Sequence, residues 1–199
     1  FYQGKYLDSI KKVLDTDLKT IVHIPNVNAG ESTKLKHDEV DTILDLIGTI
    51  EKQDPETGVI HVKREDGKII KVADLVNDIP KDRDKIVNYL RKIKNVDDID
   101  IIVALGMAKE GFDWPYCEHA LTVGYRGSLT EIIQIIGRAT RDSDNKNHSQ
   151  FTNLIAQPDV SDSEVKLSVN NMLKAITASL LMEQVLAPHI NFKTKTNGG

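Results

Sequence analysis

The amino-acid sequence predicts an α/β domain of three layers, in which a mainly parallel β-sheet lies between two layers of helices. Short runs of β-branched and apolar residues alternate along the chain with longer segments whose apolar residues recur at helical spacing. The run "DIDIIVALG" (98–106) is apolar almost throughout, which is typical of a strand buried on both faces. Alternating strands and helices favour crossover connections, so we expect parallel strands with helices on both faces.

The first fifty residues follow a helix–strand–helix order. Residues 1–18 and residues 37–47 both place apolar residues at helical spacing. Between them, the β-branched run "TIVHIP" (20–25) predicts a buried strand. This segment therefore predicts one strand of the parallel sheet with a helix before it and a helix after it.

The apolar period changes in the segment at about 58–75, "GVIHVKREDGKIIKVADL". The segment predicts two strands joined at Asp66-Gly67, because an Asp-Gly pair suits a two-residue type I′ hairpin turn. The two strands of a hairpin are antiparallel, so a hairpin does not belong to a regular parallel sheet. We therefore expect it to be an insertion into the domain.

The second half of the chain returns to alternating strands and helices. The predicted elements are a helix at 82–93, the strand at 98–106, a strand at 119–125, a helix that begins near Ser128, a strand at 151–157 and a long helix at about 163–187. We expect a single domain over 1–190 and a tail at 191–199.

Composition describes an ordinary globular domain with 199 residues, of which 40% are hydrophobic. The net charge of −4 gives no general support for nucleic-acid binding, although a local groove can be basic on an acidic body. Cys117 is the only cysteine, which excludes an intrachain disulfide and favours a reducing, cytoplasmic location. No apolar run reaches the roughly 18 residues of a membrane span, so no membrane contact is expected.

The segment "EIIQIIGRATRD" (131–142) carries polar groups that an apolar helix does not need. Gln134, Arg138 and Arg141 stand at i, i+4 and i+7, so one helix face presents an amide and two guanidinium groups. Gly137 costs about 1 kcal/mol relative to Ala in a helix interior, but it lets a phosphate or a neighbour approach closely. Two bidentate cations suit a polyphosphate. The alternative is a solvated helix end stabilised by cations near its C-terminus.

The second candidate segment, "ALGMAKEGFDWP" (104–115), follows the apolar strand at 98–106. In α/β sheets, ligands gather beyond the carboxyl ends of the strands. Asp113 follows Gly111 in a tight turn, where its carboxylate could accept a hydrogen bond from a ribose hydroxyl or a metal-bound water. A purely structural turn is the alternative, since Asp is a common turn former.

The two segments resemble two helicase motifs. "QIIGRATRD" resembles motif VI of superfamily 2 helicases, Gln-x-x-Gly-Arg-x-x-Arg, and "ALGMAKEGFDWP" resembles motif V in its Glu-Gly-hydrophobic-Asp-x-Pro form. "TIVHIP" stands where motif IV begins. The Glu-Gly-Phe-Asp variant is similar to the restriction-enzyme-like branch: the type I and type III restriction translocating subunits and the excision-repair damage-binding subunit. In architecture, the resemblance extends over about residues 18–160.

The resemblance implies a RecA-like fold of the P-loop NTPase type and the second of two such domains in a nucleic-acid motor. ATP with Mg²⁺ would then lie between the two domains and be bound mainly by the first domain. Arg138 and Arg141 would act as arginine fingers, and Gln134 would help to sense the γ-phosphate. These three residues are the expected catalytic set.

The resemblance also implies roles for the glycines and the acid of the two motifs. Gly111 and Asp113 would couple the nucleotide to the nucleic-acid track. With Gly137, they form the expected cofactor-binding set.

One position departs from the motif V pattern. RNA-unwinding relatives often carry a threonine that contacts a backbone phosphate where this chain has Leu105. Backbone amides around Gly106 and Met107 are the candidate replacement. No phosphate-loop pattern G-x-x-x-x-G-K-[ST] occurs, and no apolar strand precedes "HDEVD" (37–41), which we interpret as a solvated helix start rather than an acidic helicase box. We therefore expect this chain alone not to hydrolyse ATP.

Several other residues have simpler structural interpretations. Trp114 and Pro115 are expected to pack and to stiffen a turn rather than to stack on a base. His23 is interpreted as a core histidine and Cys117 as a small buried hydrophobe. No metal site is expected, because three histidines show no metal-ligand spacing with the cysteine: His61, His119 and His148.

The predicted hairpin carries four cations whose role stays open at this point: Lys63, Arg64, Lys68 and Lys71. They could bind phosphates. Charges on a two-stranded ribbon usually form a solvated face instead.

Two functions of different classes remain. The first is the C-terminal motor domain of an ATP-dependent DNA helicase or translocase, with the first RecA-like domain of a longer chain as its partner; RNA remains an alternative track. The second is a catalytically silent RecA-like scaffold that binds a nucleic acid or a protein. Gln134, Arg138 and Arg141 argue against the scaffold, which has no evident need for them.

Overall fold

The computed structural model describes residues 6–24, 33–105, 114–123, 144–145 and 150–154, together with five helical positions between 167 and 178. The helices are α1 (Tyr6–Leu14), α2 (Thr33–Ile47) and α3 (Pro80–Leu90), with a 3₁₀ turn at Val96–Asp98. The strands are β1 (Thr20–Ile24), β2 (Thr49–Gln53), β3 (Ile60–Lys63), β4 (Ile69–Asp74), β5 (Ile101–Leu105), β6 (His119–Val123) and β7 (Gln150–Leu154).

The described strands form one seven-stranded sheet in the order β2-β3-β4-β5-β1-β6-β7. Five strands that are neighbours in the sheet run parallel to one another: β4, β5, β1, β6 and β7. The pairs β2–β3 and β3–β4 are antiparallel. The mainly parallel sheet predicted from the sequence is therefore confirmed, with an antiparallel extension along one side.

Helices cover both faces of the sheet, as expected. On one face, α1 and α2 pack with Val22 and Val103 in one hydrophobic cluster. On the other face, α3 packs with Ile21 and Ile102 in a second cluster. Ile21 and Val22 are both buried although they are consecutive in β1 and point to opposite faces. Each such side chain contributes roughly 1.5–3 kcal/mol on burial, which explains the continuous apolar runs of the central strands.

The turn between β3 and β4 differs from the sequence-based prediction. The Arg64 N–H donates to Lys68 O at 2.9 Å, and the Gly67 N–H donates to Arg64 O at 2.9 Å, so the loop has three residues, 65–67. Gly67 has φ +85°, whereas Asp66 is not among the described residues with positive φ. A type I′ turn needs positive φ at both central residues, so the predicted turn type is wrong. The loop is a type I turn followed by a glycine bulge.

The antiparallel part of the sheet is larger than the sequence indicates. β2 was not predicted, because all five of its residues are exposed and no apolar alternation marks it. β4 pairs in parallel with β5, from Val72 opposite Ile101 to Asp74 opposite Val103. The hairpin strands are therefore continuous with the parallel sheet. We call β2, β3 and the turn that joins β3 to β4 the antiparallel wing.

The bounds of several helices also differ from the predictions. α1 ends at Leu14, before Asp17, which has φ +60°. α2 begins at Thr33, so His37 and Asp38 of "HDEVD" are exposed positions within a helix and do not mark its start. α3 begins at Pro80, two residues early, because the fixed φ of proline suits the first helical position.

The predicted long helix at about 163–187 is described at five positions only. Leu167, Asn170, Lys174, Thr177 and Ala178 are helical. Their spacing places them on one helix face, and all but Ala178 are exposed. The bounds of this helix, and the whole predicted helix that begins near Ser128, lie outside the described residues.

Candidate functional site

The candidate site is the edge of the sheet at which the parallel strands end. β4, β5, β1, β6 and β7 are consecutive in the sheet and parallel, so their carboxyl ends lie on one side. In open α/β sheets, this edge is where ligands bind, because the chain leaves each strand there in a loop that is free to carry function. We call it the carboxyl edge.

Two chain exits at the carboxyl edge lie close together. Leu105, the last residue of β5, pairs with Ile24 of β1. On the other side of β1, Thr122 of β6 pairs with His23, and β6 ends one residue later at Val123. Two strand spacings of about 4.8 Å separate β5 from β6, so the chain leaves the sheet at two points about 10 Å apart.

The first exit leads directly into the segment at 104–115, and the second lies seven residues before the segment at 131–142. The residue after Leu105 is Gly106, and the residue after Val123 is Gly124. The predicted site residues themselves lie outside the described residues, and their roles stay predictions: Gly106, Met107, Gly111, Asp113, Gln134, Gly137, Arg138 and Arg141. The described structure therefore fixes where the chain enters the first segment and where it leaves β6 on the way to the second.

The strands that hold the two exits are rigidly packed. Every residue of β1 is buried, and His23 is fully buried in its middle. β5 is buried up to Ala104, and only Leu105 at its end is partly exposed. Interiors packed to crystal-like density deform little, so the first residue beyond each strand starts from a well-defined position.

The chain is also anchored just after the first predicted segment. Trp114, the residue after Asp113, is 6% exposed and packs in the α3-side cluster together with Cys117. The Cys117 N–H donates to Trp114 O at 3.2 Å, and the Cys117 thiol donates to His119 O at 3.4 Å. The interpretation of Trp114 and Cys117 as packing residues is confirmed. Residues 106–113 are thus tied to the core at both flanks, at Leu105 and at Trp114.

Sequence reasoning missed one polar group at the carboxyl edge. Asp74 ends β4, and its Oδ1 accepts the Val76 N–H at 2.8 Å. Burial raises the pKa of Asp74, because the charged carboxylate is removed from water. Nearby, His37 Nε2 lies 3.9 Å from Asp78 Oδ2, and both side chains are about half exposed. The sequence signal for Asp74 was an acidic residue at the end of a predicted strand.

Two of the four hairpin cations are neutralised by partners. Arg64 donates to Asp17 Oδ1 at 2.5 Å and to Asp66 Oδ2 at 2.6 Å. Lys68 Nζ lies 3.2 Å from the same Asp17 oxygen. The hydrogen bond from Arg64 lowers the pKa of Asp66 to about 2 and also lowers the pKa of Asp17. Arg64 and Lys68 therefore fix the turn after β3 to the connection between α1 and β1.

The other two hairpin cations have weaker or neutral partners. Lys63 Nζ lies 3.7 Å from Glu51 Oε1, and both side chains are well exposed. Lys71 Nζ donates to the main-chain oxygen of Asp97 at 2.9 Å, which adds no opposite charge. Lys63 therefore has a longer ion pair than Arg64 or Lys68, and Lys71 has a main-chain partner in place of a carboxylate.

Within the described ranges, no three His, Cys, Asp or Glu side chains are placed to hold a metal ion. In the same part of the chain, no helix is both long and apolar enough to cross a membrane. Neither finding bears on the two predicted site segments.

Part of the chain matches a known protein family. Residues 57–143 match the family model described as the helicase conserved C-terminal domain. The matched range includes both chain exits at the carboxyl edge and the two segments that follow them. The match supports a helicase C-terminal domain of the RecA-like type, as the two motifs led us to expect. The finer assignment to the restriction-enzyme-like branch stays a prediction.

A protein of Bacillus subtilis (strain 168) carries a close counterpart of the chain. The protein named "Putative ATP-dependent helicase YeeB" is 67% identical over 198 residues, which are 99% of this chain and 33% of that protein. The chain therefore spans about a third of the length of this curated relative. The name describes that protein as a whole, and this chain matches one part of it.

A solved structure supports the fold. The C-terminal part of the Fun30 ATPase domain superposes with a TM-score of 0.51 at 13% sequence identity, over 94% of this chain and 56% of that one. At this identity the likeness concerns the fold alone. The RecA-like architecture expected from the sequence is confirmed.

Proposed function

We propose that residues 1–190 form the second RecA-like domain of an ATP-dependent DNA helicase or translocase, with 191–199 as a tail. The observation that carries the proposal is the pair of chain exits at Leu105 and Val123, on either side of Ile24 at one edge of the sheet. The motif V segment continues from the first exit, and the motif VI segment follows the second exit after residues 124–130. The chain therefore leaves the sheet towards both motifs from two points about 10 Å apart, which is two strand spacings.

The motif VI residues supply charge to a nucleotide bound mainly by the first RecA-like domain. Closure of the two domains brings Arg138 and Arg141 to the γ-phosphate, where bidentate guanidinium groups offset the charge that develops during transfer. Gln134, on the same predicted helix face, senses whether the γ-phosphate is present. ATP supplies the transferable phosphoryl group, and Mg²⁺ is held by the first domain.

The motif V residues couple the nucleotide to the track. Gly111 and Asp113, with Gly137 of motif VI, form the cofactor-binding set. Backbone amides of Gly106 and Met107 contact the phosphate backbone of the nucleic acid. The anchors at Leu105 and Trp114 support this role, because a loop held at both flanks can transmit a small displacement.

DNA is the proposed track and the cytoplasm the proposed location. The preference for DNA rests on the Glu-Gly-Phe-Asp form of motif V, which is similar to that of restriction translocating subunits. The location rests on the single cysteine, which needs no oxidising compartment.

The test is a steady-state ATPase assay on the full-length natural protein, with and without DNA or RNA, beside the same assay on residues 1–199. We expect nucleic-acid-stimulated, Mg²⁺-dependent turnover in the full-length protein and none in the 199-residue chain, which has no phosphate loop. Stimulated turnover by the 199-residue chain would contradict the proposal that ATP is bound mainly by the first RecA-like domain. A full-length protein without turnover would favour the silent scaffold.

A further inference from the structure

A row of basic side chains crosses the antiparallel wing and the adjoining strand β4. Lys52 of β2 pairs with His61 of β3, and His61 pairs with Lys71 of β4. Residues directly opposite each other in an antiparallel sheet point to the same face. The three side chains therefore stand side by side on one face, at strand spacings of about 4.8 Å, and span about 10 Å. We call them the basic row.

The basic row lies on the α3 side of the sheet, beyond the part that the helix covers. His61 is two residues from Val59 and Lys71 is two residues from Ala73, and both apolar residues belong to the cluster beneath α3. Lys52 is exposed, and His61 and Lys71 are partly exposed. Lys63 continues the same face, two residues along β3 from His61. The row is thus accessible from the solvent on this side.

The two lysines of the row stand on either side of His61, on strands that β3 separates. Within the described ranges, no carboxylate lies within 4.0 Å of a side-chain nitrogen of Lys52, His61 or Lys71. Arg64 and Lys68, one turn away, are both paired with Asp17. The wing neutralises the cations at its tip and leaves those of the row without opposite charge at contact distance.

Two carboxylates lie near the row without forming an ion pair with its side chains: Asp100 Oδ2 accepts the backbone N–H of Lys71 at 2.8 Å, and Asp54 interacts at longer range. Asp54 follows β2, and its Oδ1 accepts the backbone N–H groups of Glu56 and Thr57 at 2.8 and 3.2 Å. These hydrogen bonds, followed by the fields of His61 and Lys52, lower the pKa of Asp54. Because its hydrogen bonds are made within the turn that follows β2, Asp54 is held there and the lysines remain available to a partner.

We propose that the basic row binds the phosphate backbone of a nucleic-acid strand, as a contact separate from the carboxyl edge. The inference rests on the proposed function, because a helicase or translocase domain binds a nucleic acid, which is a polyanion. Two ammonium groups about 10 Å apart on one exposed sheet face can contact phosphates of the same strand, and such contacts do not read bases. The contact therefore contributes affinity that does not depend on sequence.

The test measures the salt dependence of binding in the full-length protein. Fluorescence anisotropy with labelled mixed-sequence single-stranded and double-stranded oligonucleotides would be followed over a range of KCl concentrations for Lys52→Gln, Lys71→Gln and the double variant. Each lost phosphate contact should reduce the slope of log K against log salt by about 0.7–0.9. Lys52→Arg should keep the wild-type slope, because it keeps the charge.

The matched control is Lys11→Gln. Lys11 is an exposed lysine of α1, the helix on the opposite face of the sheet, so its loss should leave the slope unchanged. Equal slopes for Lys11→Gln and the double variant, with both proteins folded by circular dichroism, would overturn the proposed contact. If the wild type binds and shows stimulated ATPase, that outcome leaves the proposed function intact. A wild type that neither binds nor hydrolyses would reject both proposals.

Discussion

Lys19 Nζ lies 2.6 Å from Asp100 Oδ1, and this ion pair joins the amino end of β1 to that of β5. Both side chains are largely buried, with 10% and 17% of their surface exposed. The other oxygen of Asp100 accepts the Lys71 N–H at 2.8 Å, and the Lys19 N–H donates to Glu118 Oε2 at 2.7 Å. The pair thus connects four neighbouring strands at the edge opposite the candidate site.

Removing the buried partner of Lys19 should be costly. We expect Asp100→Ala to lower the free energy of unfolding by about 3 kcal/mol, because it leaves a buried ammonium group without its counter-charge. Asp97 offers a matched control, since its carboxylate lies 3.5 Å from the same Nζ but is 89% exposed. Asp97→Ala should cost less than about 1 kcal/mol. Urea denaturation measures both, and equal costs would contradict the assigned role of burial.

His119 should make stability fall in acid. Its Nε2 lies 2.8 Å from Thr152 Oγ1, and burial lowers the pKa of the ring from 6.5 to about 4. Between these two values the unfolded chain binds a proton that the folded chain does not. The contribution of the neutral His119 ring to the free energy of unfolding is therefore fully present above pH 6.5 and is lost as the pH falls towards 4. We expect a loss on the order of 2 kcal/mol over this window.

His119→Gln tests this assignment, because the variant has no ring to titrate. Its unfolding free energy, measured by urea denaturation from pH 7.5 to 4.5, should fall less steeply than that of the wild type. Parallel pH profiles for the two proteins would show that another group controls acid stability.

Replacement by alanine should cost different amounts of stability at Gly67 and at Gly48. Gly67 has φ +85° but open space where an alanine methyl group would lie, so Gly67→Ala should cost only the backbone strain of about 1 kcal/mol. At Gly48 a Cβ would overlap the main-chain oxygen of Lys63, so Gly48→Ala must push α2 and β3 apart. We expect a cost of about 3 kcal/mol or more there. Thermal melts compare the two directly, and a smaller effect at Gly48 would contradict the close approach.

Arg141 should be needed for turnover in the full-length protein. As a proposed arginine finger, its replacement in Arg141→Ala should lower kcat by roughly 10³–10⁵. Arg141→Lys should recover only part of the loss, because an ammonium group cannot make the bidentate contact. Lys174→Ala, at an exposed helical position, is the control. A near-normal kcat in Arg141→Ala would count against the motor assignment.

Burial patterns explain which elements could be predicted. The strands β1 and β5 were foreseen because burial on both faces demands an uninterrupted apolar run, as in Ile101–Leu105. β2 was missed because a strand with both faces exposed needs no such pattern. The turn type was mistaken because Asp66-Gly67 suits two turns, and the choice between them depends on how the flanking strands pair.

The sequence by itself determined the fold class, the two helicase-like motifs and the order of the parallel strands along the chain. These are local properties, since hydrophobic period and residue spacing are present in any short stretch. Only the tertiary structure decided that Leu105 and Val123 end on either side of β1, that Arg64 and Lys68 are neutralised, and that Lys52 stands beside His61. Such neighbours lie far apart in sequence or depend on strand register, which is set by packing and long-range hydrogen bonds.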